Sequence, residues 1–188
     1  MRRTMFAACL VALSLAACAP RAAHDAYVRQ EVDFSFIKRV AVLPFENLSA
    51  DKAAGEKVRK MMMSELLASG LVDVAGPGET TAAYERQRLE SAANLKPEDA
   101  KALCQALGVQ ALIYGTIARH EEVKAGSLTV PEVAVTFNMV DDTGTILWSS
   151  NVVTSGGGFV SNYLGGRGES VTEVSLRAIR TAIGSLRH

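Results

Sequence analysis

Apolar residues along this chain fall into short blocks whose spacing changes character from one end to the other. An almost unbroken apolar run from Met5 to Leu15 follows the basic start Met1-Arg2-Arg3-Thr4. Arg39-Val40-Ala41-Val42-Leu43 comes next. It lacks polar alternation, which predicts a strand covered on both faces and ended by Pro44. Between Asn47 and Ser69, Ala54, Val58, Met61, Met62 and Leu66 recur at helical spacing. Lys52, Lys57, Arg59 and Lys60 are predicted on the solvated side of that helix, Asn47, Ser49 and Asp51 supply N-cap candidates, and Gly70 closes it. Leu71-Val72-Asp73-Val74 predicts a second short strand and Gly76-Pro77-Gly78 a break. Helical patterns follow over 79–94, with Tyr84 and Leu89, and over 97–107, where Pro97 suits the first position and Gly108 the end.

Beyond Gly108 the spacing shifts towards period two. A strand signal over 109–117 trails into Arg119-His120-Glu121-Glu122 before a turn at 124–127. Val133 to Val140 alternates as a half-buried strand does, Asp141-Asp142-Thr143-Gly144 is a hairpin turn, and 145–153 is the returning partner. A Gly-rich segment, 155–168, leads to a last amphipathic helix over 169–186, with Val171, Val174, Ala178, Ile179, Ala182 and Leu186 on one face. The element order is βαβααβββα. Parallel crossovers come first and hairpins later, which predicts an α/β fold: one domain with a mixed sheet and helices packed on it.

The apolar run at the start is an address. Its eleven residues would span only about 16 Å as a helix, half of a bilayer core, so it is too short to cross a membrane. A basic segment, a short apolar segment and small residues describe a secretory signal. Leu15-Ala16-Ala17-Cys18 resembles a bacterial lipobox. The resemblance implies that Cys18 receives a diacylglyceryl thioether, becomes the new N-terminus and is N-acylated. Ala19 in place of Asp resembles sorting to the outer membrane. The expected organisation is a signal peptide over 1–17, a lipidated N-terminus and tether over 18–35, and a periplasmic domain over 36–188.

Composition narrows the function. The 188 residues carry 20 Lys+Arg against 20 Asp+Glu, with pI near 6.8, so the basic stripe of a nucleic-acid binder is missing. With 48% hydrophobic and 21% charged residues the composition is that of a folded domain. Once Cys18 is acylated and the signal removed, Cys104 is the remaining cysteine, so no intrachain disulfide forms. Its apolar helical surroundings predict a buried thiol.

Three stretches carry a family resemblance. They are Val40-Ala41-Val42-Leu43-Pro44-Phe45-Glu46-Asn47-Leu48-Ser49, then Leu107-Gly108-Val109-Gln110-Ala111-Leu112-Ile113-Tyr114-Gly115-Thr116-Ile117, and finally Val140-Asp141-Asp142-Thr143-Gly144-Thr145-Ile146-Leu147-Trp148-Ser149. In order and separation they resemble the curli-secretion lipoprotein (CsgG-like) family and its relatives, the penicillin-binding-protein activator LpoB and the exopolysaccharide-export lipoprotein PelC. The resemblance covers nearly all of 38–187. It implies a non-enzymatic scaffold for envelope assembly or export. For the curli and exopolysaccharide members it implies ring-like homo-oligomers, whereas the activator works without such a ring. Curli-pore subunits add membrane-spanning hairpins. Here the connection over 119–130, rich in charge, and the segment over 155–168 are both shorter than the roughly twenty residues such a hairpin needs.

Candidate chemistry is sparse. His120-Glu121-Glu122 lacks the second histidine of a zinc-protease helix, so no metal is expected, and His120 reads as a polar strand end. Gly156-Gly157-Gly158 lacks the Lys-Ser/Thr pair of a phosphate loop, and no cofactor is expected. Glu121/Glu122 and Asp141/Asp142 are sequence neighbours on strands and point to opposite faces, a poor arrangement for paired-carboxylate hydrolysis. Helical spacing sends two of Met61, Met62 and Met63 into the core. Phe159, Val160, Tyr163 and Leu164, set among glycines, are candidates for contact with a neighbouring subunit or envelope partner, for shallow membrane contact, or for packing back over the core. The expectation is an outer-membrane lipoprotein, anchored through lipid at Cys18, whose periplasmic domain binds a protein partner. Two alternatives stay open: activation of a peptidoglycan synthase, and small-ligand sensing, which a large apolar pocket would favour.

Overall fold

Strand β2 (Arg39–Val42) sits between β4 (Asp73–Val74) and β5 (Ala111–Ala125) and runs parallel to both. A computed structural model describes residues 23–31, 34–125, 128–156 and 168–187 of the chain. Val40, Ala41, Val42 and Leu43 are fully buried, as an apolar run without alternation requires. Val40 and Val42 face one core, Ala41 and Leu43 the other. Two cores thus meet across one strand.

The sheet runs β1-β7-β6-β5-β2-β4, with the two-residue β3 (Glu46–Asn47) alongside β5. Its antiparallel half is β5, β6 (Leu128–Asp141), β7 (Ile146–Ser155) and β1 (Ala23–Val28). Helices α1 (Ala54–Ser69) and α4 (Val171–Gly184) cover one face. Helices α2 (Pro77–Arg86) and α3 (Pro97–Leu107) cover the parallel part of the other. The predicted order βαβααβββα is therefore borne out, with β1 and β3 added to it.

Local chemistry explains most boundaries. Gly70 and Gly108 end α1 and α3 in the left-handed conformation, at φ 66° and 60°, where a side chain would be strained. Pro97 opens α3, with Glu98 and Asp99 in the first turn. Ser170 and Glu173 form a reciprocal capping box on α4. The Asp141 carboxylate accepts from the N–H groups of Thr143 and Thr145 and holds the β6–β7 turn. Trp148 is fully buried, near-parallel to Phe137 at 6.4 Å between ring centroids, and its Nε1 donates to Ser185 Oγ at 2.9 Å.

Several expectations need correction. Ala23–Val28, expected in the tether, pairs with β7 as an edge strand. Most of its side chains are exposed, so hydrophobicity gave no signal. The second helix runs from Pro77 to Arg86 rather than over 79–94, because Pro77 begins it; a separate turn at Ala92–Asn94 is capped by Ser91. The strand signal that trails into Arg119-His120-Glu121-Glu122 holds, while the connection expected over 119–130 is shorter than that, because β5 runs on to Ala125 and β6 starts at Leu128, past a bulge between Ile117 and Arg119. Of the three consecutive methionines, Met62 and Met63 are buried and Met61 packs partly against the core.

Arg59, expected on the solvated face, is 3% exposed. Its Nε donates to the Val42 carbonyl at 2.9 Å and its Nη1 to Thr81 Oγ1 at 3.2 Å, with Glu56 at 3.5 Å. A guanidinium is tolerated inside when its donors are met. Its place was legible after all, since Gly55, Arg59, Met62 and Leu66 share one helical stripe.

Gly115 lies where β5 and β6 approach closely. A Cβ built there would be 2.6 Å from the Thr136 carbonyl oxygen and 3.1 Å from Phe137 Cδ1. Backbone cannot yield as a side chain can. Gly115→Ala should therefore cost about 2 kcal/mol, read as a lowered urea midpoint.

Candidate functional site

The Cys18 site and the segment with Phe159, Val160, Tyr163 and Leu164 lie outside the described residues. Their flanks are described, and they gather at one end of the sheet. β1 begins five residues after Cys18. The chain leaves β7 at Gly156, whose N–H donates to the Pro131 carbonyl at 2.8 Å. It returns at Glu169, whose carboxylate pairs with Arg177 on α4. Arg177 also donates through Nη2 to the Ser155 carbonyl at 2.9 Å, so one guanidinium ties the end of β7 to the start of α4.

The same end carries a polar cluster that sequence reasoning missed. His120, expected on a polar strand end, is 6% exposed, with Nδ1 3.0 Å from Asp51 Oδ2. Neither ring nitrogen makes a hydrogen bond of good geometry. Lys57 Nζ donates to the same Asp51 oxygen at 2.9 Å. That bond, followed by the Ala53 N–H, holds the Asp51 carboxyl below its usual value. Asn47 Nδ2 donates to the Asp51 carbonyl at 2.8 Å and fixes the loop. The bulge before Arg119 resets the alternation of β5, which is why His120 faces inward. Among the described residues, no three His, Cys, Asp or Glu side chains are grouped to hold a metal.

The carboxylate neighbours do not form a catalytic pair either. Asp141 is committed to its turn, Glu121 lies opposite Glu132 across the β5–β6 ladder, and Glu132 pairs with Arg119. An open cleft of about 870 Å³ runs along Ala26 to Glu31, Phe34 and Leu186. An apolar pocket between Phe34, Leu66, Leu71, Met139 and Leu186 holds about 100 Å³. That is well below the roughly 300 Å³ of a small-molecule site, so this pocket does not support a sensor.

With fold and flanks in place, known proteins give the context. The family model of the peptidoglycan-synthase activator LpoB matches residues 17–153. The chain belongs to the LpoB family. The resemblance carried by the three motifs is thereby borne out, and the chain is an accessory lipoprotein of the cell envelope, outer-membrane-associated, periplasm-facing and non-enzymatic. The PelC dodecamer from Paraburkholderia phytofirmans is similar in fold, with 17% identity and a TM-score of 0.62 over 88% of this chain and 97% of that one. Lipoprotein GNA1162 from Neisseria meningitidis is similar too, with 20% identity and a TM-score of 0.54 over 80% of this chain and 98% of that one. No curated protein matches.

Cys104 is buried as expected, and burial, with smaller contributions from Asp142 and Asp141, pushes its thiol up to about 12. A raised thiol value means that almost no thiolate exists below pH 10 in the folded chain. Maleimide labelling of Cys104 at pH 8 should thus be slow in buffer and rapid in denaturant; fast native labelling would contradict the burial.

Proposed function

We propose that this LpoB-family chain is anchored by acyl groups on Cys18 and acts through protein contacts of its periplasmic domain, as an accessory of envelope assembly or export. The observation that carries the reading is the extent of the family match. It begins at residue 17, next to the lipobox cysteine, and runs through the domain to residue 153. Acyl chains suit this role because two or more of them give stable anchoring where a single chain does not. Confined to a surface, the domain meets its partners at high local concentration.

Within that reading the domain works as a homo-oligomer. Support comes from the likeness in fold, over most of both chains, to a protein that forms a dodecamer. A second reading, activation of a peptidoglycan synthase by direct docking, is supported by the description of the family itself. The two differ in what the domain touches.

Metabolic labelling with palmitate should mark the wild-type chain and leave Cys18→Ala unlabelled; equal labelling would remove the anchor from the proposal. Crosslinking in native membranes followed by mass analysis should give a ladder of self-adducts. A single adduct with a murein synthase, without self-adducts, would favour the activator reading instead.

A further inference from the structure

At one end of the sheet, the link to the anchor and a protruding hairpin have nearly the same length. Ala23, the first residue of β1, is five residues from Cys18, and five extended residues reach at most about 18 Å. β1 is antiparallel to β7, with Ala23 opposite Val153 and Val28 opposite Trp148. The chain therefore enters β1 from the end where β7 finishes. Val153 lies opposite Ala134, and Ala134 opposite Arg119. From that level β5 and β6 each continue six residues further, to Ala125 and Leu128. At the rise of an antiparallel strand this extension is about 20 Å. β7 stops opposite Glu132, so beyond it the two strands pair only with each other among the described residues.

We propose that the short link holds the tip of this β5–β6 arm against the phospholipid headgroups of the leaflet that carries the anchor. The inference rests on the reading of Cys18 as the acylated residue. The anchor plane can be no further from Ala23 than the link allows, and an upright arm covers that distance and slightly more. The interfacial layer is about 5–8 Å deep on each side, so the tip ends among headgroups and does not enter the hydrocarbon.

The chemistry of the arm fits such a surface. Between Val123 and Val130 there is no Asp or Glu, and Lys124 is the one charged residue. Val123 and Val130 are cross-strand partners, both half-buried, while Lys124 and Thr129 are exposed. The acids Glu121, Glu122 and Glu132 stand further from the tip, where anionic headgroups would repel them less. The root of the arm is held firmly. Gly156 donates to the Pro131 carbonyl, and a Cβ on Gly156 would lie 2.6 Å from Pro131 Cγ. With Glu169 tied to Arg177 nearby, the arm stands on a braced base.

The buried thiol of Cys104 leaves an introduced cysteine as the reactive position. The acylated full chain is reconstituted in phosphatidylethanolamine–phosphatidylglycerol vesicles containing a lipid with a nitroxide on its headgroup. A bimane fluorophore is placed by Lys124→Cys or, as the control, by Asp142→Cys in the turn at the opposite end, about 45 Å away along β5. Quenching at position 124 should exceed that at 142 by about threefold or more, since only the tip reaches the headgroup plane. Inserting about ten Gly/Ser residues after Ala22 should bring quenching at 124 down to the control value while the chain still floats with the vesicles. Equal quenching at 124 and 142, stronger quenching of a Tyr27→Cys label on β1, or quenching at 124 that survives the insertion would each overturn the docking with the anchor intact. A chain that fails to float would overturn the reading of Cys18 itself.

Discussion

Burial of β2 from both sides is the constraint on which the rest of the fold depends. Val40 and Val42 pack beneath α1 and α4, while Ala41 and Leu43 pack beneath α2 and α3. Removing either helix pair would leave half of the strand's apolar surface in water, and each large aliphatic side chain so exposed costs about 2 kcal/mol. The strand is also where a charge is brought inside, because the Val42 carbonyl receives the Arg59 guanidinium. Pro44 follows, and the loop beyond it carries Asn47 and Asp51 towards β5. One doubly covered strand thus sets the positions of four helices and of the polar cluster at the sheet's end.

Elements whose pattern arises from burial were legible in the sequence. β2, α3 with its Pro97 and Gly108, the Asp141 turn and the inner face of α4 all declare themselves through spacing or terminal chemistry. Those that depend on tertiary context were less so. β1 is held by ladder bonds to β7 and buries little, so AHDAYV reads as linker. The outer ends of β5 and β6 pair with each other and carry charges, so the strand signal faded beyond Glu122. Arg59 looked solvated because its charge outweighed its position on the helix.

The functional region shows the same division. The resemblance to a lipobox and the family resemblance both rest on local runs of residues, which can be read one after another along the chain. The meeting of Asp51 with His120 joins a loop to a strand far along the chain. It also needs a bulge, and neither spacing nor composition announces one. The position of the arm relative to the start of β1 is likewise a matter of register, two strands removed, and only the paired sheet reveals it.

β1 also matters for how the protein can be handled. It is the outermost strand, and β7 behind it carries Val153, itself already partly exposed. A recombinant version started after Val28 to discard the apolar run over 5–15 would strip the cover from β7. A row of unsatisfied ladder groups would then be open to intermolecular β-pairing and precipitation. Soluble versions are better begun just ahead of Ala23, so that the edge remains capped by its own short and largely polar strand.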